Sequence, residues 1–261
     1  MDVRMDGRVA VITGASTGLG LAMAKEFAAS GASVALLARK QDALAAAKAE
    51  VQKAAGKANI KIEAYSCDVA KAAPIADTFK KIEAEFGKVD IVVNNAGISH
   101  AKSFETVTDE DWQGDLDLKL FAAIRLIRHA LPSMKARGGG RIVNVTNIGA
   151  KQPGAGTMPT TVSRAAGLAM TKAHSREYAP HGILVNTVCI GLVRAGQHEA
   201  RAARQGIDPE ALYAQMAASV PLGRVGEADE AADVILFLVS RRASFVTGSS
   251  INIDGGASAV F

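Results

Sequence analysis

The sequence is poor in the features that staple small proteins or carry them into membranes. There are two cysteines in 261 residues, Cys67 and Cys189. Both fall in apolar, strand-like runs and read as small buried hydrophobes, so no disulfide scaffold is expected. No Cys/His cluster has metal-ligand spacing, so no metal is expected either. Aromatic residues make up only 5% of the chain. No apolar run is long enough to span a bilayer. The start, "MDVRMDGRVAVITG", carries charge and then a short strand, which does not read as a secretory signal. A cytoplasmic chain with no membrane partner is the expectation. Neither sign of charge dominates: 30 Lys and Arg stand against 26 Asp and Glu, a net of +4. The charges are dispersed, and no basic stripe is interleaved with aromatics, which argues against nucleic acid.

What the chain has is a 49% hydrophobic fraction carried by Ala, Val, Ile and Leu. Parallel strands covered on both faces require such residues. Strand and helix signals alternate from end to end. "RVAVITG" leads into the helical spacing of "GLGLAMAKEFAAS". "ASVALLA" precedes an Ala-rich helix over about 40–55. "NIKIEAYSCDV", "VDIVVNNAG", "GRIVNVTN", "GILVNTVCIG" and "SSINIDGG" supply further strands. Helices are expected between them, including a long one over about 109–136, one from Met158 onward and one near 227–240. No linker, repeat or low-complexity segment interrupts the pattern. The expectation is an α/β fold, a Rossmann-type doubly wound parallel sheet in a single domain over 1–261. A polar, helix-rich insert covers about 192–220.

"TGASTGLG", at 13–20, follows the first strand and opens the first helix. Glycines there let backbone approach a pyrophosphate that faces the helix N-terminus. Such a turn also occurs as a plain βα connection. Its place at the start of a βαβ unit points to nucleotide binding.

With "CDV", "NNAG", "GRIVNV", "REYAPHGILVN", "PLGRVGEADEAADVILFLVS" and "VTGSSINIDGG", the chain resembles the short-chain dehydrogenase/reductase family over essentially its whole length. The resemblance implies that the turn (Gly14, Ser16, Thr17, Gly18, Leu19, Gly20) holds the pyrophosphate. It implies that Asp68, with Val69, meets the adenine and that Asn95, Ala96 and Gly97 support the sheet and the ribose end. At the end of the second strand, an acidic residue would bond the ribose 2′-OH and select NAD. Here stand Ala38 and then Arg39 and Lys40, which favour the 2′-phosphate of NADP. NAD, or no cofactor, is the alternative.

The family's chemistry, by the same resemblance, uses a Tyr as acid/base, a Lys that lowers its pKa and holds the ribose, a Ser that bonds the carbonyl oxygen and an Asn in the central helix. In this chain those places hold Thr160, Arg164, Asn147 and Lys119. Further along, Ile190-Gly191 replaces a Pro-Gly pair, and Ala195 replaces a Thr that touches the nicotinamide amide. The three tyrosines, Tyr65, Tyr178 and Tyr213, all lie elsewhere in the pattern. A threonine hydroxyl has no ionised state near neutral pH, whereas a phenol can be tuned. Arg164 keeps the positive charge with a different donor geometry. Lys119 is expected to point either to solvent or into the pocket beside Arg164.

Three readings follow. The first is an oxidoreductase-like family member that binds NADP(H), its Tyr-dependent hydride chemistry altered or lost. The second is a non-redox isomerase, lyase or hydratase acting on an anionic, oxo-acid or acyl-thioester substrate through Lys119 and Arg164. The third is a silent subunit that partners an active relative. By resemblance the chain forms a homo-oligomer, dimer or tetramer, or a hetero-oligomer with such a relative.

Overall fold

A computed structural model describes residues 3–261; Met1 and Asp2, the first residues of the charged start, lie outside the described residues. Seven strands form one parallel sheet: β1 (Val9–Thr13), β2 (Ser33–Ala38), β3 (Ile62–Ser66), β4 (Ile91–Asn94), β5 (Gly140–Asn147), β6 (Ile183–Ile190) and β7 (Ser250–Ile253). Their spatial order is β3-β2-β1-β4-β5-β6-β7. The chain therefore reverses direction across the sheet between β1 and β4. In such sheets, ligands settle in the crevice that opens there at the carboxyl ends of the strands.

The strands are continuous apolar runs because both faces are covered. On one face α1 (Gly18–Ala29), α2 (Gln41–Ala55) and α9 (Ala228–Val239) pack onto Ile12, Val34, Leu36 and Val93. On the other, α3 (Ala72–Phe86) and α5 (Ala122–Ala136) pack onto Val11, Leu37, Val92 and Ile142. Cys67 and Cys189 are buried free thiols.

The long central helix is the first departure from expectation. It begins as α4 (Asp109–Leu116), capped by Thr108 and Asp111 in a reciprocal box. It widens into a π-helical turn, Asp117–Phe121, and resumes as α5. Lys119 lies within this turn, and π turns concentrate at functional sites. The helix after β5, α6, covers Thr160–Tyr178 and follows a cis Met158–Pro159 bond. The insert folds as α7 (Gly196–Gln205) and α8 (Pro209–Ala217). Among the described residues, no helix is long and apolar enough to cross a membrane.

Candidate functional site

At the β1–α1 junction, Gly14 and Gly18 adopt left-handed backbone, φ +65° and +54°, which favours residues without a Cβ. Gly20 is required for a different reason. A Cβ there would lie 2.0 Å from the Gly14 carbonyl oxygen. Thr17, at the N-terminus of α1, makes no side-chain capping bond. The first-turn N–H groups are thus left uncapped by Thr17, and a helix N-terminus of this kind suits an anion. From β4, the Asn95 amide donates to Thr13 O at 2.9 Å, and Thr13 Oγ1 accepts from the N–H groups of Asn95 and Ala96. These bonds fasten the Asn95-Ala96-Gly97 corner to the glycine turn. Asp68 sits beyond β3, its Oδ1 accepting from Ala70 N, with Val69 buried beside it. Arg39 is exposed just past the end of β2. The cradle fits a dinucleotide: glycine backbone and a helix N-terminus for phosphates, and a free guanidinium at the rim.

The second half of the site lies between the π turn and α6. Lys119 Nζ makes a short ion pair with Asp115, one turn earlier, and donates to Thr160 Oγ1 at 2.9 Å. Ser163 Oγ donates to Asp115 Oδ2 at 2.5 Å. Thr160 Oγ1 also accepts from the backbone N–H of His100 at 3.0 Å. The side chains of Lys119 and Asp115 are 1% and 0% exposed. Burial pushes the Lys119 ammonium down to about 8, opposed by its bond to Asp115 and reinforced by the nearby Arg164 charge.

Lys119 therefore does not point to solvent. Nor does it add an uncompensated second cation beside Arg164, because Asp115 neutralises it. Asp115 and Ser163 were not singled out from the sequence. Their signals were the i,i+4 spacing of Asp115 to Lys119 and the i,i+3 spacing of Thr160 to Ser163.

Arg164 lies one turn along α6 from Thr160. Its Nη1 donates to Val145 O at 2.6 Å, and a Cβ on Gly97 would meet its Nη2 at 2.5 Å. The guanidinium is thus laid against the corner after β4. Burial lowers its pKa to about 10, which leaves it charged at neutral pH. Asn147 ends β5, its Oδ1 buried and without a protein partner. Among the tyrosines, Tyr65 donates to Glu85, Tyr213 bonds the backbone of Ala195, and Tyr178 packs its ring on His174 and Lys135.

Glycine turn, parallel sheet and switch-point crevice together define a doubly wound α/β fold of Rossmann type. The family model described as Enoyl-(Acyl carrier protein) reductase matches residues 14–258. The chain is 34% identical over 250 residues to the acetoacetyl-CoA reductase of Shinella zoogloeoides, covering 95% of this chain and 98% of that protein. It superimposes on the L-sorbose reductase of Gluconobacter frateurii, solved with NADPH and L-sorbose, with a TM-score of 0.93 and 33% identity over 100% of both chains. It matches an NADPH-bound short-chain oxidoreductase from Pseudomonas aeruginosa PAO1, described as containing an atypical catalytic center, with a TM-score of 0.92 and 35% identity. That match covers 99% of this chain and 100% of the other. This chain belongs to the short-chain dehydrogenase/reductase family.

Proposed function

We propose that the protein is an NADP(H)-binding oxidoreductase of this family, acting on a small carbonyl or alcohol, whose proton step does not use a tyrosine phenol. When bound, the nicotinamide supplies or accepts the hydride. The chain's own part begins with the cradle around Gly14, Gly18 and Gly20, which would hold the pyrophosphate. Arg39 would pair with the 2′-phosphate. Asp68 and Val69 would flank the adenine, and the Asn95–Gly97 corner and Arg164 would border the ribose. Two relatives solved with NADPH support the choice of cofactor.

The observation that carries the altered chemistry is the state of Thr160. It stands where the family resemblance puts tyrosine, and its hydroxyl oxygen already accepts from Lys119 and from His100 N. Its own proton is left near Asp115 Oδ1, at 3.4 Å. An aliphatic hydroxyl so engaged is a hydrogen-bond donor and no ionisable acid. Asn147, at the serine place, retains an amide able to donate to a carbonyl oxygen. The non-redox reading loses its main support once Asp115 offsets Lys119. The silent-subunit reading draws on the burial of the same cluster.

The test is consumption of NADPH by the purified protein over a panel of ketones and diketones, beside the variant Asn147→Ser/Thr160→Tyr/Arg164→Lys. Slow wild-type turnover and a rise in the variant support the proposal. Wild-type turnover that already equals that of tyrosine-bearing relatives contradicts it. NADPH binding with no turnover in either protein favours the silent subunit.

A further inference from the structure

Beside Lys119, a small pocket of about 10 Å³ lies among Asn94, Lys119, Ala123, Asn144, Arg164 and Gly167. That is roughly the space one water requires. Its walls are polar in a particular way. Asn94 Oδ1 and Arg164 Nε are both buried without a bond to any protein group. Asn94 Nδ2 donates to Asn144 Oδ1 at 2.8 Å, and Arg164 Nη1 donates to Val145 O at 2.6 Å. Asn144 is held in turn, its Nδ2 donating to Thr171 Oγ1 at 2.8 Å. Lys119 has three ammonium protons, of which Asp115 and Thr160 take two.

The cavity is thus bordered by one acceptor and by two donors, each with capacity to spare. A buried donor or acceptor that bonds to nothing is costly. Here two such atoms and a cation border the same space. A water molecule meets all three needs: it accepts from Arg164 Nε–H and from Lys119 and donates to Asn94 Oδ1. Three bonds is the usual complement of a buried water. Its oxygen, turned toward both cations, also offsets the repulsion between them.

We infer that Asn94, Lys119 and Arg164 form a binding site for a single water molecule that ties the buried Lys119–Asp115 pair to the guanidinium beside Gly97. The site does not depend on what the protein catalyses. It belongs to the polypeptide with or without nucleotide.

A crystal structure of the full chain at about 1.5 Å is the direct test. The expected result is one round density peak within about 2.7–3.2 Å of Asn94 Oδ1, Arg164 Nε and Lys119 Nζ. A cavity without a peak at that resolution overturns the inference.

Discussion

Lys119 Nζ lies 2.9 Å from Thr160 Oγ1 across the joint between the π turn and α6, and Asp115 closes the triangle from one turn back. The two positions that the proposed function sets at the acid/base face are in contact. The lysine amine occupies the hydroxyl's surroundings, and a carboxylate neutralises the amine.

Breaking that pair from one side should be severe. Lys119→Met leaves Asp115 buried and uncompensated, at a cost of about 3–5 kcal/mol. The double variant Lys119→Met/Asp115→Leu should recover most of the loss, because removing both charges together also removes their desolvation cost. Urea denaturation of the wild type and both variants checks this.

The same pair predicts a pH dependence. The folded state holds the Lys119 ammonium at about 8 against 10.5 for the free side chain. The penalty for burying the charge is fully present below pH 8. Between about 8 and 10.5 the unfolded chain binds more protons than the native one, so this group's contribution to stability rises with pH. Cys67 and Tyr65, both raised by burial, act in the opposite sense, their contributions being lost as pH rises past 9 and 10. The Lys119 signal is therefore the difference between the wild type and Lys119→Met/Asp115→Leu. Unfolding free energies at pH 7.5 and 9.5 should show the wild type gaining relative to the variant.

The expected architecture was legible because every strand is a short apolar run bounded by glycine or polar turns. The start of α4 carries a capping signal of its own in Thr108 with Asp111. The glycine turn was legible for the same local reason. The environment of Lys119 was not. Lys119 lies in a π turn, and no residue in "DLKLF" announces an extra residue per turn. Asp115 reads in sequence as one more acid on a polar helix; only the packing of α6 against that turn makes it buried. The role of Ser163 depends in the same way on α6 starting at Thr160.

The glycine cradle should be intolerant of a single methyl. Gly20→Ala drives a Cβ against the Gly14 carbonyl and must shift the turn, at a cost of roughly 1–3 kcal/mol of stability. NADPH binding should be lost with it. Thermal denaturation and a fluorescence titration read the two effects separately.

In the insert, Arg194 is a fastening point. It forks onto Glu210 at 2.6 Å through both terminal nitrogens, reaches Glu227 at 3.0 Å and stacks on Tyr213. It thereby joins the start of the insert to α8 and to the start of α9. Arg194→Gln should speed limited proteolysis within 195–218 while leaving the main unfolding transition nearly unchanged, since exposed ion pairs contribute little to global stability. Equal cleavage rates in the two proteins would show that the strap is held by other contacts.

The central claim is that the cradle takes NADP(H) and that Arg39 reads its 2′-phosphate. The most direct measurement is parallel titration of wild type and Arg39→Ala with NADPH and NADH, followed by nucleotide fluorescence. The account predicts tighter binding of NADPH by the wild type, a loss of about 10- to 100-fold in the variant for one charged hydrogen bond, and unchanged NADH affinity. Equal affinity for the two nucleotides in the wild type, or no binding of either, would contradict it.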